Sequence, residues 1–225
     1  ARIDSLTGCH NRRSVAPAMN ELHRRAESDD RRIAVLLVDL DNFKHINDVH
    51  GHTAGDAVLR EVAARMRAIL PTDALIARIG GDEFAIAIMH DRSAQQEIET
   101  LASVLIEAVA EPIAIQDFSI DTSMSVGIVG CRDVPPALSP EEWPNEMMHK
   151  ADIAMYHAKK HGKHRSVWFE PVMEQELKFR SQLENGIRAG IAAGEFVPFY
   201  EQQVDVESGR LTGFEMLARW QSPAL

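Results

Sequence analysis

Two acidic pairs are the residues of this chain best suited to chemistry: Asp39 and Asp41, in Val38-Asp39-Leu40-Asp41, and Asp82-Glu83. The first ends the apolar run Ile33 to Leu40, which reads as a strand buried on both faces, and a carboxylate leaving such a strand is fixed in position yet open to solvent. The second follows Gly80-Gly81, between the apolar runs Leu75 to Ile79 and Phe84 to Met89, a hairpin pattern. If these strands are neighbours, two to four carboxylates converge as a hard divalent cation requires. The plainer reading is an acidic turn pointing into water. The glycine pair favours a site, because glycine lets a backbone approach a ligand that side chains would exclude.

Asn47 and Asp56 flank His50-Gly51-His52. A carboxylate accepts from the ring N–H and exocyclic amine of guanine, and an amide both donates and accepts, so the pair suits a guanine edge; turn formation and helix capping account for them equally well. Lys159, Lys160, Lys163 and Arg165 crowd one helix end, as a polyphosphate or the helix C-terminus itself would favour. His157, His161 and His164 have spacings compatible with one helical face, but their cationic neighbours disfavour a divalent metal.

These residues need elements to hold them. The 225 residues correspond to about one and a half domains at roughly 150 residues each. A composition 45% hydrophobic and 26% charged leaves material for a core. Helices are expected near Pro17 (Val15, Met19, Leu22, Ala26), from a Thr53/Asp56 capping box to Pro71, over Ile98 to Val109 and over Met147 to Lys160. Strands are expected at Phe118 to Ile120, Met124 to Val129 and Val167 to Phe169, which together with the runs above argues for an α/β sandwich with a mixed sheet. Beyond Glu170 a polar helix, Met173 to Ala193, leads to strands at Phe196 to Tyr200, Val204 to Val206 and Leu211 to Trp220. Net charge −10, from 24 basic against 34 acidic residues, repels a nucleic-acid backbone. The longest aliphatic run, Ile33 to Val38, is too short to cross a bilayer, for which about 20 residues are needed. Cys9 and Cys131 suggest reduced thiols in a cytoplasmic protein. No secretory signal precedes them, and the absence of an initiating Met suggests a longer parent chain that a membrane anchor upstream could tether.

Gly80-Gly81-Asp82-Glu83-Phe84 resembles the signature of the GGDEF domain of bacterial diguanylate cyclases. Companion motifs follow in the family's order: Asp4-Ser5-Leu6-Thr7-Gly8 with Asn11-Arg12-Arg13, where Cys9 replaces a usual Leu; Asp39 to Lys44 with Asn47-Asp48; Gly51-His52 with Gly55-Asp56; Ser125 to Ile128; and Ala158 to Lys163. The resemblance covers residues 1–170 and implies a nucleotide-cyclase-like fold with a mostly antiparallel sheet, and the joining of two GTP into cyclic di-GMP with release of two pyrophosphates in a homodimer. It implies that Asp39, the Leu40 carbonyl, Asp82 and Glu83 hold Mg²⁺ (or Mn²⁺) and that Asp82 or Glu83 assists deprotonation of the attacking hydroxyl. GTP would be bound through Phe43, Lys44, Asn47, His52, Asp56, Gly80, Gly81, Lys159 and Lys163. One family feature is missing: at the Arg-x-x-Asp product site stand Pro71 and Ala74, with Asp73 out of register, so product inhibition there is not expected.

Residues 171–194 are expected to be a linker helix, and residues 195–225 resemble the start of an EAL phosphodiesterase domain. Phe196 to Gln202 stands for that family's aromatic strand and Glu215 to Trp220 for its Glu-Ala-Leu-Leu-Arg-Trp, with departures at Glu201, Gln202 and Met216. Glu215 would be a metal ligand in a whole barrel; a (β/α)₈ barrel takes about 250 residues, so this fragment is not expected to hydrolyse anything. A sensory domain is expected upstream. The alternative to an active cyclase is a GTP-binding module that regulates an attached phosphodiesterase.

Overall fold

The computed structural model describes residues 2–222, so the first residue of the expected cyclase domain and the last three of the expected EAL fragment lie outside the described residues. Two compact units divide at Met173/Glu174. No helix among the described residues is long and apolar enough to cross a membrane.

The first unit is built on β2 (Arg32–Leu40), whose residues from Ile33 onward are all buried, as the unbroken apolar run predicts. It pairs antiparallel with β4 (Glu83–His90) and β7 (Met124–Gly130). β3 (Leu75–Arg78) lies antiparallel on β4, and two short strands, β1 (His10–Asn11) and β8 (Ser166–Trp168), close the edges in parallel. The resulting order is β1-β3-β4-β2-β7-β8, a mixed and mostly antiparallel sheet. The alternation of side chains along each strand divides it into two faces. Leu36, Val38, Phe84, Ile86, Val126 and Ile128 form a core with α2 (Phe43–His50), α3 (His52–Ile69) and α4 (Gln95–Ala110). The other face packs against α1 (Arg12–Ser28) and α5 (Glu142–Lys160). A small ribbon, β5 (Ile113–Ile115) with β6 (Phe118–Ile120), is a separate sheet whose Ile113 and Ile120 are buried in that same core.

Gly127 sets the seat of α5. A Cβ built there would lie 2.0 Å from the Ala151 carbonyl oxygen and 2.3 Å from the Met155 nitrogen, so helix backbone occupies the space a side chain would need.

Four local expectations are corrected. α1 begins at Arg12 rather than near Pro17, because the edge pairing at His10–Asn11 and the Ser14 hydroxyl, which donates to the carbonyls of Arg2 (2.7 Å) and Asn11 (2.9 Å), fix the helix start upstream. Thr53 and Asp56 form no capping box: Gly51, at φ 80°, reverses the chain and starts α3 at His52, leaving Thr53 inside the first turn. α5 starts at Glu142, five residues ahead of the expected Met147, with Trp143 and Pro144 buried in its first turn. Finally, β9 (Phe196–Val204) is continuous, and Val206 belongs to a turn in which the Asp205 carboxylate accepts from the Ser208 amide at 2.7 Å.

The second unit contains most of α6 (Pro171–Ala193) and the antiparallel ribbon of β9 with β10 (Leu211–Trp220).

Candidate functional site

Antiparallel register places Asp39 directly opposite Glu83 where β2 ends and β4 begins. Like charges facing across strands are destabilising, so this sheet end gives up stability for something else. The Leu40 amide donates to the Asp82 carbonyl at 3.3 Å, which brings the turn against the same end. Burial pushes the Asp39 carboxyl above its usual range; the Lys159 ammonium opposes the shift, and Asp82 and Asp41 add to it. Glu83 is raised likewise, by burial first and then by Asp39 and Asp82. Lys159, in the last turn of α5, places Nζ 2.7 Å from Asp39 Oδ2. This carboxylate group therefore already attracts a cation.

Asp41 does not join the cluster. It is buried, 4% exposed, and accepts hydrogen bonds from the Ser123 and Ser125 hydroxyls (2.7 Å each) and the His164 amide (3.2 Å). Its role is to tie the end of β2 to the start of β7 and to the loop after α5. Lys163, in the left-handed region at φ 60°, donates to Asn42 Oδ1 at 2.8 Å, so two of the four clustered cations, Lys159 and Lys163, turn toward the end of β2. Lys160 instead lies over the Tyr156 ring and Arg165 donates to the Lys163 carbonyl. The three histidines separate as well: His157 and His161 stack on each other while His164 faces Glu107.

The turn itself is held by Arg78, which the sequence reading did not single out. Arg78 donates from Nε and Nη2 to the Gly81 carbonyl at 3.0 and 2.7 Å, and its Nη1 lies 3.4 Å from Asp4. Burial alone would raise Asp4, but hydrogen bonds from Thr7 and the Arg78 charge hold it below its ordinary value. The signal was present in the opening Asp4-Ser5-Leu6-Thr7, whose partner lies 74 residues away. Neither Gly80 nor Gly81 has a positive φ. A Cβ at Gly80 would sit 3.0 Å from Glu83 Oε2, whereas one at Gly81 would meet nothing within 4 Å. The lack of a side chain keeps space beside the carboxylates open.

On the other side of β2's end, α2 and α3 pack together. Gly55 in α3 makes a cradle for Asn47: a Cβ there would lie 2.0 Å from Asn47 Oδ1 and 3.2 Å from Phe43 Cζ. Asn47 is thereby seated beside the residue preceding Asp56, and both are half-buried. Phe43 is buried beneath them; Lys44 and His52 are exposed. The Leu40 side chain belongs to the core, which leaves only its backbone at the strand end. Among the described residues no group of three or more His, Cys, Asp or Glu side chains is placed to hold a metal ion. Mg²⁺ does not need one, since it is commonly held by one or two carboxylates together with substrate phosphates.

The sheet, its helical layers and this carboxylate turn define a nucleotide-cyclase-like α/β domain. The model of the family described as diguanylate cyclase, GGDEF domain matches residues 1–165, and the chain belongs to that family. It is similar to the bifunctional diguanylate cyclase/cyclic di-GMP phosphodiesterase MucR of Pseudomonas aeruginosa, 36% identical over 98% of this chain and 31% of the relative. It is also similar to the cyclic di-GMP phosphodiesterase PdeR of Escherichia coli, 33% identical over 99% of this chain and 32% of that protein. The chain thus spans about a third of the length of such relatives. Among solved structures, the GGDEF domain of TpbB (YfiN) from Pseudomonas aeruginosa superposes with a TM-score of 0.71 at 33% identity, covering 78% of this chain and 99% of that one. The GGDEF domain of DgcB from Caulobacter crescentus, in complex with c-di-GMP, gives 0.63 at 27% identity over 75% of this chain and 95% of that one.

Proposed function

We propose that this domain is an active diguanylate cyclase, condensing two GTP into cyclic di-GMP and two pyrophosphates. The observation that carries this reading is the cross-strand opposition of Asp39 and Glu83 beside Asp82, in an intact Gly80 to Phe84 turn. An all-oxygen donor set, crowded enough to raise its own pKa values and already drawing in Lys159, fits a hard divalent ion. Asp39, Asp82, Glu83 and the Leu40 carbonyl would hold it. Mg²⁺ or Mn²⁺ supplies charge neutralisation on the α-phosphate and the departing pyrophosphate.

The chain's own groups do the rest. Asn47 and Asp56 bind the guanine edge above Phe43, near His52, and Gly80 and Gly81 leave room for the phosphates. Lys44, Lys159 and Lys163 bind the terminal phosphates, Lys159 by exchanging Asp39 for a phosphate oxygen. Asp82 or Glu83 accepts the proton of the 3′-hydroxyl as its oxygen bonds to the α-phosphorus of the other GTP and the bond to pyrophosphate breaks. The same step, repeated with the roles of the two nucleotides exchanged, closes the ring. Each domain presents one such site, so two domains must face each other in a homodimer.

A second reading, a GTP-binding module that regulates an attached phosphodiesterase, is favoured by the likeness to PdeR. It fits the second unit. An isolated two-stranded ribbon is marginal in water, and β9–β10 exposes Phe199, Tyr200, Phe214 and Met216. Such a ribbon fits the opening of an EAL domain completed in a longer chain, with residues 1–170 as the GGDEF domain, residues 171–194 as linker helix and Glu215 as a future metal ligand. Incubation of the dimer with GTP and Mg²⁺ separates the readings. Cyclic di-GMP formation, lost in Asp82→Ala, is expected of a cyclase; tight GTP binding without product would overturn it in favour of regulation.

A further inference from the structure

Left-handed backbone gathers at one junction of the first unit. Of the five non-glycine residues with positive φ among the described residues, three meet where β2 ends: Asn42 (59°), Lys163 (60°) and His164 (47°). An isolated asparagine visits this region readily; lysine and histidine do so rarely, and two such residues in succession more rarely still. A conformation of this kind persists only where its surroundings enforce it.

Three contacts enforce this one. The Lys163 amide donates to the Ala158 carbonyl at 3.0 Å, and the Val126 amide donates to the Arg165 carbonyl at 2.9 Å, which ties the corner to α5 and β7 through backbone. Between them the His164 amide donates to the Asp41 carboxylate at 3.2 Å. This third contact depends on a side chain, which the Ser123 and Ser125 hydroxyls fix in turn. The β2–β7 junction does not rest on that carboxylate, because Leu40 already pairs with Met124 in the ladder and the Asp41 amide donates to the Ser123 carbonyl at 2.8 Å. Burying a charge is costly. What Asp41 adds beyond the ladder is its hold on the loop after α5.

A second observation comes from Asn42. Asparagine at a helix N-cap ordinarily accepts from an amide of the first turn. The Asn42 side chain makes no such bond to α2 and accepts instead from Lys163 Nζ at 2.8 Å. With the corner held, the Lys163 ammonium therefore lies at the same strand end where Lys159 pairs with Asp39.

We propose that Asp41 is a positioning residue of the nucleotide site: through the His164 amide it holds Lys163 and His164 left-handed, and so aims the Lys163 ammonium at the terminal phosphates of GTP. This positioning rests on the phosphate role proposed for Lys163. Asp41 is itself enclosed by its donors and acts only through that lysine.

Equilibrium binding of 3′-deoxy-GTP and of GMP to the whole chain separates positioning from folding, because GMP shares the guanine contacts but lacks the β- and γ-phosphates. Lys163→Met should weaken 3′-deoxy-GTP about tenfold, as expected of one charge-assisted hydrogen bond, and leave GMP unchanged. Asp41→Ala should do the same, whereas a general loss of fold would weaken both ligands alike. His164→Pro tests the link at an exposed position without emptying a buried one. Proline has no amide hydrogen and cannot adopt φ 47°, so 3′-deoxy-GTP alone should again weaken about tenfold. His164→Gly keeps the amide and accepts that φ, and should bind like the parent protein. In the Lys163→Met background Asp41→Ala should add less than about twofold, since both changes remove one contribution. If Asp41→Ala does not fold, the two His164 variants decide. Unchanged 3′-deoxy-GTP binding in Lys163→Met would overturn the phosphate role of Lys163 and the positioning with it. If Lys163→Met weakens binding, the positioning alone is overturned by an unaffected His164→Pro, by equal weakening of both ligands in it, or by full additivity of Asp41→Ala with Lys163→Met.

Discussion

Gly55→Ala isolates the contribution of one side-chain position to nucleotide binding. The added carbon would lie 2.0 Å from Asn47 Oδ1, and a separation below 3.0 Å is not tolerated, so the amide must retreat by about 1 Å. A hydrogen bond of about 2.9 Å would stretch to about 3.9 Å, beyond useful range. Asn47 makes one or two such bonds to guanine in the proposed site, each worth about 0.5–1.5 kcal/mol net, so affinity should fall about two- to 150-fold. The fold should lose little. Gly55 lies inside α3 with an ordinary helical backbone, where alanine gains about 0.5–1 kcal/mol over glycine, and the atoms it meets are side-chain ends, Asn47 Oδ1 at 2.0 Å and the Phe43 ring at 3.2 Å. The assay is equilibrium binding of 3′-deoxy-GTP, which lacks the attacking hydroxyl, alongside urea unfolding of the same variant. Unchanged affinity in a folded protein would refute the placement of Asn47 in the guanine site. A stability loss above about 2 kcal/mol would refute the reasoning differently, by making Gly55 a packing glycine.

Gly127→Ala should behave in the opposite way. Its Cβ would strike helix backbone at 2.0 and 2.3 Å, forcing α5 outward at a cost of about 1–3 kcal/mol or more. A fall in melting temperature of about 3–10 °C by circular dichroism is expected, with lost activity as Lys159 leaves Asp39; an unshifted melt would contradict this. Glu83→Gln should raise the melting temperature at neutral pH while reducing cyclisation. The folded pKa of Glu83 lies above the ordinary 4.5, so ionisation costs the fold stability above that folded value, and the advantage of Gln should vanish as pH drops below 4.5. Melts of both proteins across pH 4 to 8 check the sign, and a constant difference would contradict it. Micromolar cyclic di-GMP should leave the cyclase rate unchanged, because Pro71 and Ala74 occupy the family's product-site positions and Asp73 faces Arg31 at 3.8 Å. Inhibition relieved by substitutions around Pro71 would show otherwise.

The parts of this molecule legible in the sequence are those whose cause is local. The buried run Ile33 to Leu40, the apolar runs around Gly80-Gly81 and the periodicity of Ile98 to Val109 each carry their own period, and each became the expected element. Asp39 and Asp41 show what local pattern cannot decide. They are two residues apart and chemically identical, yet one faces Glu83 across the sheet while the other is buried among Ser123, Ser125 and the His164 amide. Sorting them required strand register and a loop more than 120 residues downstream, both set by tertiary pairing. Pro17 misled for the same reason: its local preference for a helix start yielded to an anchor made by β1 and Ser14. The glycines complete the pattern. Gly55 and Gly127 look alike in sequence, but one keeps room for an amide and the other for a helix backbone. That difference separates residues that shape the site from residues that hold the domain together, and it is why their alanine variants should fail in opposite assays.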